Sequence, residues 1–204
     1  MMTPTEKYNQ ELCHYGVKGM KWGVRRERNS AKKLVKQYAN LSKRGDYKGI
    51  RKLRRSDRMY ELRSNTELKN AVTKRRKAED AVNKLRDEYY NNPKLMDKYQ
   101  RIVAKEFAKE QGISFDEAYA GYKYDDWDND ESYQKYVDTT GVGAKEYKAL
   151  REASIETRNV CKKIVDEYLG DYGDTPIKQK HANTTSARNF IASQLEFDTY
   201  VKDI

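Results

Sequence analysis

The chain has 204 residues and a net charge of +10 at pH 7, and charged residues make up 36% of it against 37% hydrophobic ones. This composition favours helices with narrow apolar stripes over a thick core, while three prolines and seventeen tyrosines argue against a disordered tail. No apolar run suits a signal peptide or a membrane span, and two cysteines exclude a disulfide framework, so we expect a soluble protein of a reducing compartment.

The charge is divided unevenly along the chain. Residues 1–109 hold 30 Lys/Arg against 13 Asp/Glu, whereas residues 110–204 hold 12 against 19. A basic half attracts nucleic acid or an anionic membrane. The acidic half could instead dock onto it, within one molecule or between copies, as would suit an assembling structural protein.

After a polar start over residues 1–12, the segment from Cys13 to Arg26 is unlike the rest of the chain. Gly16, Gly19 and Gly23 recur every three or four residues, and each costs roughly 1 kcal/mol in a helix interior. We therefore expect a compact glycine-rich knob rather than a long helix. Its apolar residues are Val17, Met20, Trp22 and Val24, and its basic residues are Lys18, Lys21, Arg25 and Arg26.

Three interpretations of this knob are open. It could be a loop that folds back and inserts Trp22 and Met20 into a helical core. It could be a docking peptide or processing signal that an acidic or aromatic-lined partner recognises. A phosphate-cradling loop is disfavoured because the Gly-x-x-x-x-Gly-Lys-Ser/Thr pattern is missing. The docking interpretation assigns partner contacts to His14, Tyr15, Lys18, Met20, Lys21, Trp22, Arg25 and Arg26.

The run from His14 to Arg26 reads His-Tyr-Gly-Val-Lys-Gly-Met-Lys-Trp-Gly-Val-Arg-Arg. It resembles a short motif in structural proteins of tailed bacteriophages and of prophages of Gram-positive bacteria, often encoded near head and minor capsid genes. The resemblance implies a virion-associated structural protein that is made in the cytoplasm of the bacterial host and then joins the virion. Its expected partners are capsid, portal or neighbouring virion proteins.

A basic region follows the knob. Ser30 is expected to cap a helix that ends at Arg44, before Gly45, and residues 46–63 are expected to be helical with a break near Gly49. The block from Lys21 to Arg86 holds 23 Lys/Arg against 7 Asp/Glu, which suits binding of DNA or RNA phosphates without sequence readout. The alternative is a solvated surface partly neutralised by the acidic half. The candidate phosphate-binding residues are Arg51, Lys52, Arg54, Arg55, Arg58, Arg75, Arg76 and Lys77.

Two long helices carry heptad seams. After a capping box at Ser64 to Glu67, apolar residues recur with spacing 3-4 from Leu68 to Tyr89, with Arg75 as the polar member. A helix from Pro93 to Gly112 should form an antiparallel hairpin with the first. A second seam runs from Tyr147 to Tyr168, within a helix expected over residues 144–169. The seams could pair within one chain or make a homo-oligomer.

The remaining segments are shorter. We expect a helix from Ser114 to Tyr122, a loop over residues 123–143, a connector over 174–184 with a short strand near Ile177, and a final helix from Ser186 to Leu195. The predicted fold class is mostly α, an elongated helical hairpin or bundle with coiled-coil-like seams. The predicted segments are a flexible N-terminus with the Gly/Trp/basic motif (1–29), a basic helical hairpin region (30–112) and an acidic helical region (113–204).

No pattern predicts a metal, a cofactor or an active site. Asp126, Asp128 and Asp130 have the alternating spacing of a calcium loop, but Glu131 and Val137 replace its glycine and bidentate glutamate. Two cysteines (Cys13, Cys161) and two histidines (His14, His181) fit no zinc spacing, and no nucleophile has an identifiable base. We therefore expect a protein that is not an enzyme.

The alternative function is a phage-encoded regulator or inhibitor that binds host nucleic acid or a host nucleoprotein, in an anti-defence role. Salt dependence separates the two classes, because phosphate binding weakens steeply between about 50 and 200 mM salt and a protein contact much less.

Overall fold

The structure, a computed structural model, describes residues 22–124, 129–181 and 184–201. These residues form nine α-helices and one pair of two-residue antiparallel strands, so the mostly-α prediction is confirmed. The helices are α1 Trp22–Arg44, α2 Tyr47–Arg54, α3 Asp57–Arg63, α4 Thr66–Tyr90, α5 Pro93–Gln111, α6 Phe115–Tyr124, α7 Asn129–Thr140, α8 Ala144–Leu169 and α9 Ala187–Val201, and the strands are β1 Pro176–Ile177 and β2 Thr185–Ser186.

The described residues divide into two compact units. The first comprises residues 22–72 together with 156–201, and the second comprises residues 73–155. This division differs from the three consecutive segments predicted from the sequence, because α4 and α8 each contribute one end to the first unit and the other end to the second.

Helix α1 begins earlier than predicted. It starts at Trp22, so Ser30 lies inside the helix and is not its cap, and the backbone of residues 22–26 is helical rather than part of a knob. A single glycine, Gly23, costs only about 1 kcal/mol there, which the packing of one long helix face offsets. The predicted end is confirmed, since Arg44 is the last helical residue and Gly45 has φ of 68°.

The basic segment after α1 is helical, but the predicted break at Gly49 is wrong. The Gly49 amide donates to the Asp46 carboxylate over 2.8 Å, which caps α2 and places Gly49 in its first turn. The break falls instead at Arg55 and Ser56, between α2 and α3.

The core of the first unit joins α1, α2, α3, α4, α8 and α9, together with Ile177 of β1. Its fully buried side chains include Tyr38, Met59, Leu68, Val165 and Ile191. Most charged residues of α1 and α2 are exposed, so these two helices give the first unit a basic surface.

The two heptad seams meet within the chain in the first unit. The Thr157 hydroxyl donates to the carbonyl of Ala71 over 3.3 Å, and Lys163 lies 2.8 Å from Glu67. Cys161, on the same seam of α8, is fully buried. The cap of α4 is Asn65 rather than the predicted Ser64, because its side-chain oxygen accepts from the amides of the first helical turn.

In the second unit the predicted helix caps are confirmed, but the predicted loop over residues 123–143 is not. Asn92 caps α5, with Pro93 in its first turn, and the Ser114 hydroxyl accepts from the amide of Glu117. Gly112 ends α5 with φ of 69°. The loop predicted over residues 123–143 is wrong for its second part, which is α7, because Ser132 and Tyr133 give that segment a buried face.

Helix α5 packs against α6 and α7 over most of its length. The predicted antiparallel hairpin of α4 and α5 is wrong, because α5 meets α4 only near the connection between them, where the rings of Tyr89 and Tyr99 lie 6.5 Å apart. Tyr133 of α7 joins these two rings in a cluster of buried tyrosines.

The short strand predicted near Ile177 is confirmed, and β1 pairs with β2. Helix α8 covers the predicted residues 144–169. The last helix, α9, continues beyond Leu195 to Val201, so Phe197 and Tyr200 belong to it.

Candidate functional site

Four of the predicted phosphate-binding residues form a cationic surface on the first unit. Their side chains are exposed on α2, on the break after it and on α3. Only Arg58 among them has an ion pair that we identify, with Glu61 over 2.9 Å on the same helix. We call this set the cationic surface; it consists of Arg51, Lys52, Arg55 and Arg58.

Two other predicted members do not belong to this surface. Arg75 is only 1% exposed, so its assignment to phosphate binding is wrong: a heptad position on α4 turns it inward. Arg54 is largely buried, with its guanidinium carbon 4.5 Å from the centre of the Phe197 ring. Arg76 is half-buried and Lys77 is exposed, and both lie in the second unit.

A buried charge cluster lies behind the cationic surface. Arg63 donates to the Asp198 carboxylate over 2.6 Å and, through the same nitrogen, to the carbonyl of Arg54 over 2.6 Å. The Arg54 guanidinium lies 3.7 Å from the other oxygen of Asp198, which is 1% exposed. The cluster therefore fixes α9 to α2 and α3.

The phenol of Tyr38 lies among these charges. Burial raises the pKa of Tyr38, and the charge of Asp198 raises it further, while the guanidinium groups of Arg54 and Arg63 oppose the rise. Sequence reasoning missed this cluster, because 135 positions separate Arg63 from Asp198 and neither belongs to a local motif.

A groove of about 720 Å³ runs beside the cationic surface. Three of its lining residues come from α1, three from α2 and two from the break that follows α2. On each helix the lining positions are spaced i, i+3 and i+4, which places them on one face. The lining residues are Gln37, Asn40, Leu41, Gly49, Lys52, Leu53, Arg55 and Ser56.

The floor of this groove is apolar and its edge is basic. Leu41 and Leu53 are half-buried and pack against the core, whereas Lys52 and Arg55 are exposed. A methyl group on Gly49 would lie 2.6 Å from Leu41, so the missing side chain lets α1 and α2 approach here. The Ser56 hydroxyl is buried and forms no hydrogen bond within the described part of the chain.

The second unit accounts for part of the acidic sequence run. Asp130 accepts from Arg86 and from the Tyr90 hydroxyl, and Tyr122 donates to Glu131 over 2.5 Å. Asp126 and Asp128 lie outside the described residues. Across residues 22–124, 129–181 and 184–201, no group of three or more His, Cys, Asp or Glu side chains could hold a metal ion.

The N-terminal motif can be placed only in part. His14, Tyr15, Lys18, Met20 and Lys21 lie outside the described residues. The backbone of Trp22, Arg25 and Arg26 belongs to the first turns of α1, but the structure does not describe their side chains. The predicted partner contacts of the motif thus stay a prediction.

Comparison with known proteins yields one match. The model of a family of unknown function, DUF7211, matches residues 5–29. This range includes the whole His14–Arg26 run. No curated protein and no solved structure matches the chain. No helix in the described residues is long and apolar enough to cross a membrane.

Proposed function

We propose that the chain is a virion-associated structural protein of a tailed phage or a prophage, of the head or minor capsid class, and that it acts through protein–protein contacts. Its proposed partners are capsid, portal or neighbouring virion proteins. It would be made in the host cytoplasm and then enter the virion. The motif at His14–Arg26, within the matched residues 5–29, is the basis for the phage assignment.

One observation carries the protein-contact part of this proposal: the groove between α1 and α2 combines an apolar floor with a basic edge. Phosphate binding requires only exposed cations. An apolar floor adds nothing to phosphate binding. In a protein interface, however, such a floor supplies the buried apolar centre on which stable binding depends.

The test is incorporation into virions. Phage particles from a strain that produces the protein are purified through a density gradient and analysed for the protein by mass spectrometry. We expect it in the particle fraction. Its absence from particles, with normal production in the cell lysate, would refute the virion role.

The N-terminal motif is tested in the same experiment. A Trp22→Ala, Arg25→Ala double variant should be depleted from particles if the motif anchors the protein. A Lys32→Ala variant serves as the control, because Lys32 is exposed on α1 outside the groove. Normal incorporation of the double variant would refute the anchoring role of the motif.

A second candidate function is binding of nucleic-acid phosphates, as a regulator or inhibitor of a host nucleoprotein. The observation that favours it is the cationic surface, where Arg51, Lys52 and Arg55 are exposed close together in sequence. If each contacts one phosphate, the slope of log K against log salt should be about −0.9 per contact. Replacing all three by Gln should flatten this slope, whereas the buried Arg75→Met should leave it unchanged.

A further inference from the structure

We infer that the groove between α1 and α2 binds an amphipathic, acidic helix of a partner protein. This inference rests on the proposed role in protein contacts and specifies the chemistry of the partner. It follows from three features of the groove: its shape, its charge and one buried hydroxyl group.

The shape of the groove suits a helix. Gln37 and Asn40 of α1 line one side, Gly49 and Lys52 of α2 line the other, and Leu41 and Leu53 form the floor between them. Two adjacent helix faces with this spacing leave a furrow between them, and an amphipathic helix fills such a furrow with apolar residues at i, i+3, i+4 and i+7. The volume of about 720 Å³ is enough for several apolar side chains.

The charge around the groove selects an acidic occupant. Lys52 and Arg55 line it and are exposed, and Arg51 and Arg58 lie on the same cationic surface. Three carboxylates lie nearby and none of them lines the groove: Asp46 accepts from the Gly49 amide, Glu61 pairs with Arg58, and Asp57 also acts on the charge of Arg58. Carboxylates on the flanks of a bound helix would form charge-assisted hydrogen bonds with Lys52 and Arg55.

The Ser56 hydroxyl is the third feature. It lies at the start of α3 but makes no capping hydrogen bond, and its oxygen is buried on the lining of the groove. A buried hydroxyl without a partner carries a desolvation cost that a hydrogen bond removes. Rotation of the Ser56 side chain into the groove would let a polar group on the occupant supply that bond.

The experiment uses the full chain and fluorescein-labelled synthetic peptides, followed by fluorescence anisotropy. The probe is an amphipathic helical peptide with Leu and Trp at i, i+3, i+4 and i+7 and Glu elsewhere. One control peptide has Lys in place of Glu, and another has Ser in place of Leu and Trp. We expect the acidic amphipathic peptide to bind at least about tenfold more tightly than either control, because each lacks one of the two recognised features.

Matched variants locate the site. The Lys52→Glu, Arg55→Glu double variant should weaken binding of the acidic peptide by about tenfold or more. The control double variant Lys32→Glu, Lys36→Glu changes the net charge equally, but these exposed residues of α1 do not line the groove. Asn40→Trp, an exposed position on the wall, should block binding sterically, whereas Lys32→Trp should not.

Several outcomes would overturn the inference. Equal binding of the acidic peptide and the Ser-containing control would exclude recognition of the apolar face. Equal weakening by the two double variants would mean that the groove is not the site. Light scattering that detects a dimer of the free protein, dissociated by Asn40→Trp, would identify a second copy as the occupant instead. Peptide binding with no protein in virions would leave this inference intact and refute only the proposed function.

Discussion

Removing the buried charge of Asp198 should destabilise the first unit strongly. Asp198 is 1% exposed and accepts from Arg63 over 2.6 Å, with Arg54 at 3.7 Å. In Asp198→Asn both guanidinium groups stay largely buried without a counter-charge. Breaking a buried pair in this way costs about 3–5 kcal/mol. The Arg63 donation to the carbonyl of Arg54 survives, so we expect the lower end, about 3 kcal/mol.

The assay is urea unfolding followed by circular dichroism, with the free energy obtained by linear extrapolation. Hydrogen exchange of peptides from α3 and α9 should locate the loss of protection in the first unit. The control is Glu61→Gln, which breaks the exposed pair with Arg58 and should cost less than about 1 kcal/mol.

A compensating pair of substitutions sharpens the test. Arg63→Met combined with Asp198→Leu removes both charges of the closest pair, and apolar replacement of a buried pair is often close to neutral. The double variant should therefore be more stable than Asp198→Asn alone. The reasoning would be refuted if Asp198→Asn lost less than about 1 kcal/mol, the cost of an exposed pair.

Three further predictions concern other residues. The Tyr90 hydroxyl, followed by Arg86, lowers the pKa of Asp130, so Tyr90→Phe should raise that pKa in an NMR titration and leave Asp97, held by Tyr119 and Arg101, unchanged. The pKa of Asp130 is lower in the folded than in the unfolded protein. The ionised Asp130 carboxylate therefore stabilises the fold above the unfolded pKa of about 3.9, and this stabilisation is lost as the pH falls through the folded pKa. The effect is small, because the carboxylate is exposed. In a Cys13→Ser background, Cys161 should react with a thiol reagent only after unfolding, and rapid labelling in native buffer would contradict its burial. In Gly49→Ala the Cβ would lie 2.6 Å from the side-chain ends of Leu41 and Asp46 and would displace the carboxylate that caps α2. This cost offsets the gain of about 1 kcal/mol that Ala has over Gly in a helix, so thermal unfolding should show no stabilisation, and a double variant with Leu41→Val should be more stable than Gly49→Ala.

Local sequence signals predicted much of the secondary structure. The ends at Gly45 and Gly112, the caps at Asn92 and Ser114, and the helix over residues 144–169 follow from backbone chemistry that acts within a few residues. The inward face of the seam from Leu68 to Tyr89 follows from helical periodicity.

The errors arose where tertiary contacts override local preference. Gly23 suggested a turn, but it lies inside α1, one face of which packs against the core of the first unit. The polar composition of α7 suggested a loop, but the segment is helical because its tyrosines pack beside Tyr89. The charge of Arg75 suggested phosphate binding, but its position on the heptad seam indicated the inward side of the helix, and the structure buries it there.

The candidate site was only half predictable. Composition indicated the exposed cations Arg51, Lys52 and Arg55, since a dense basic run on short helices must leave some in water. The groove beside them was not predictable, because it arises from the approach of α1 to α2 at Gly49. The same holds for the pairing of Arg63 with Asp198, which depends on the docking of α9.

The division of the first unit between residues 22–72 and 156–201 has a consequence for synthesis on the ribosome. The second unit, residues 73–155, is continuous and can fold as soon as it emerges. The earlier residues 22–72, with their exposed positive charge, must wait for α8 and α9 before their apolar faces are covered. During that interval the nascent chain exposes apolar helix faces, flanked by basic residues, that only its own later helices cover.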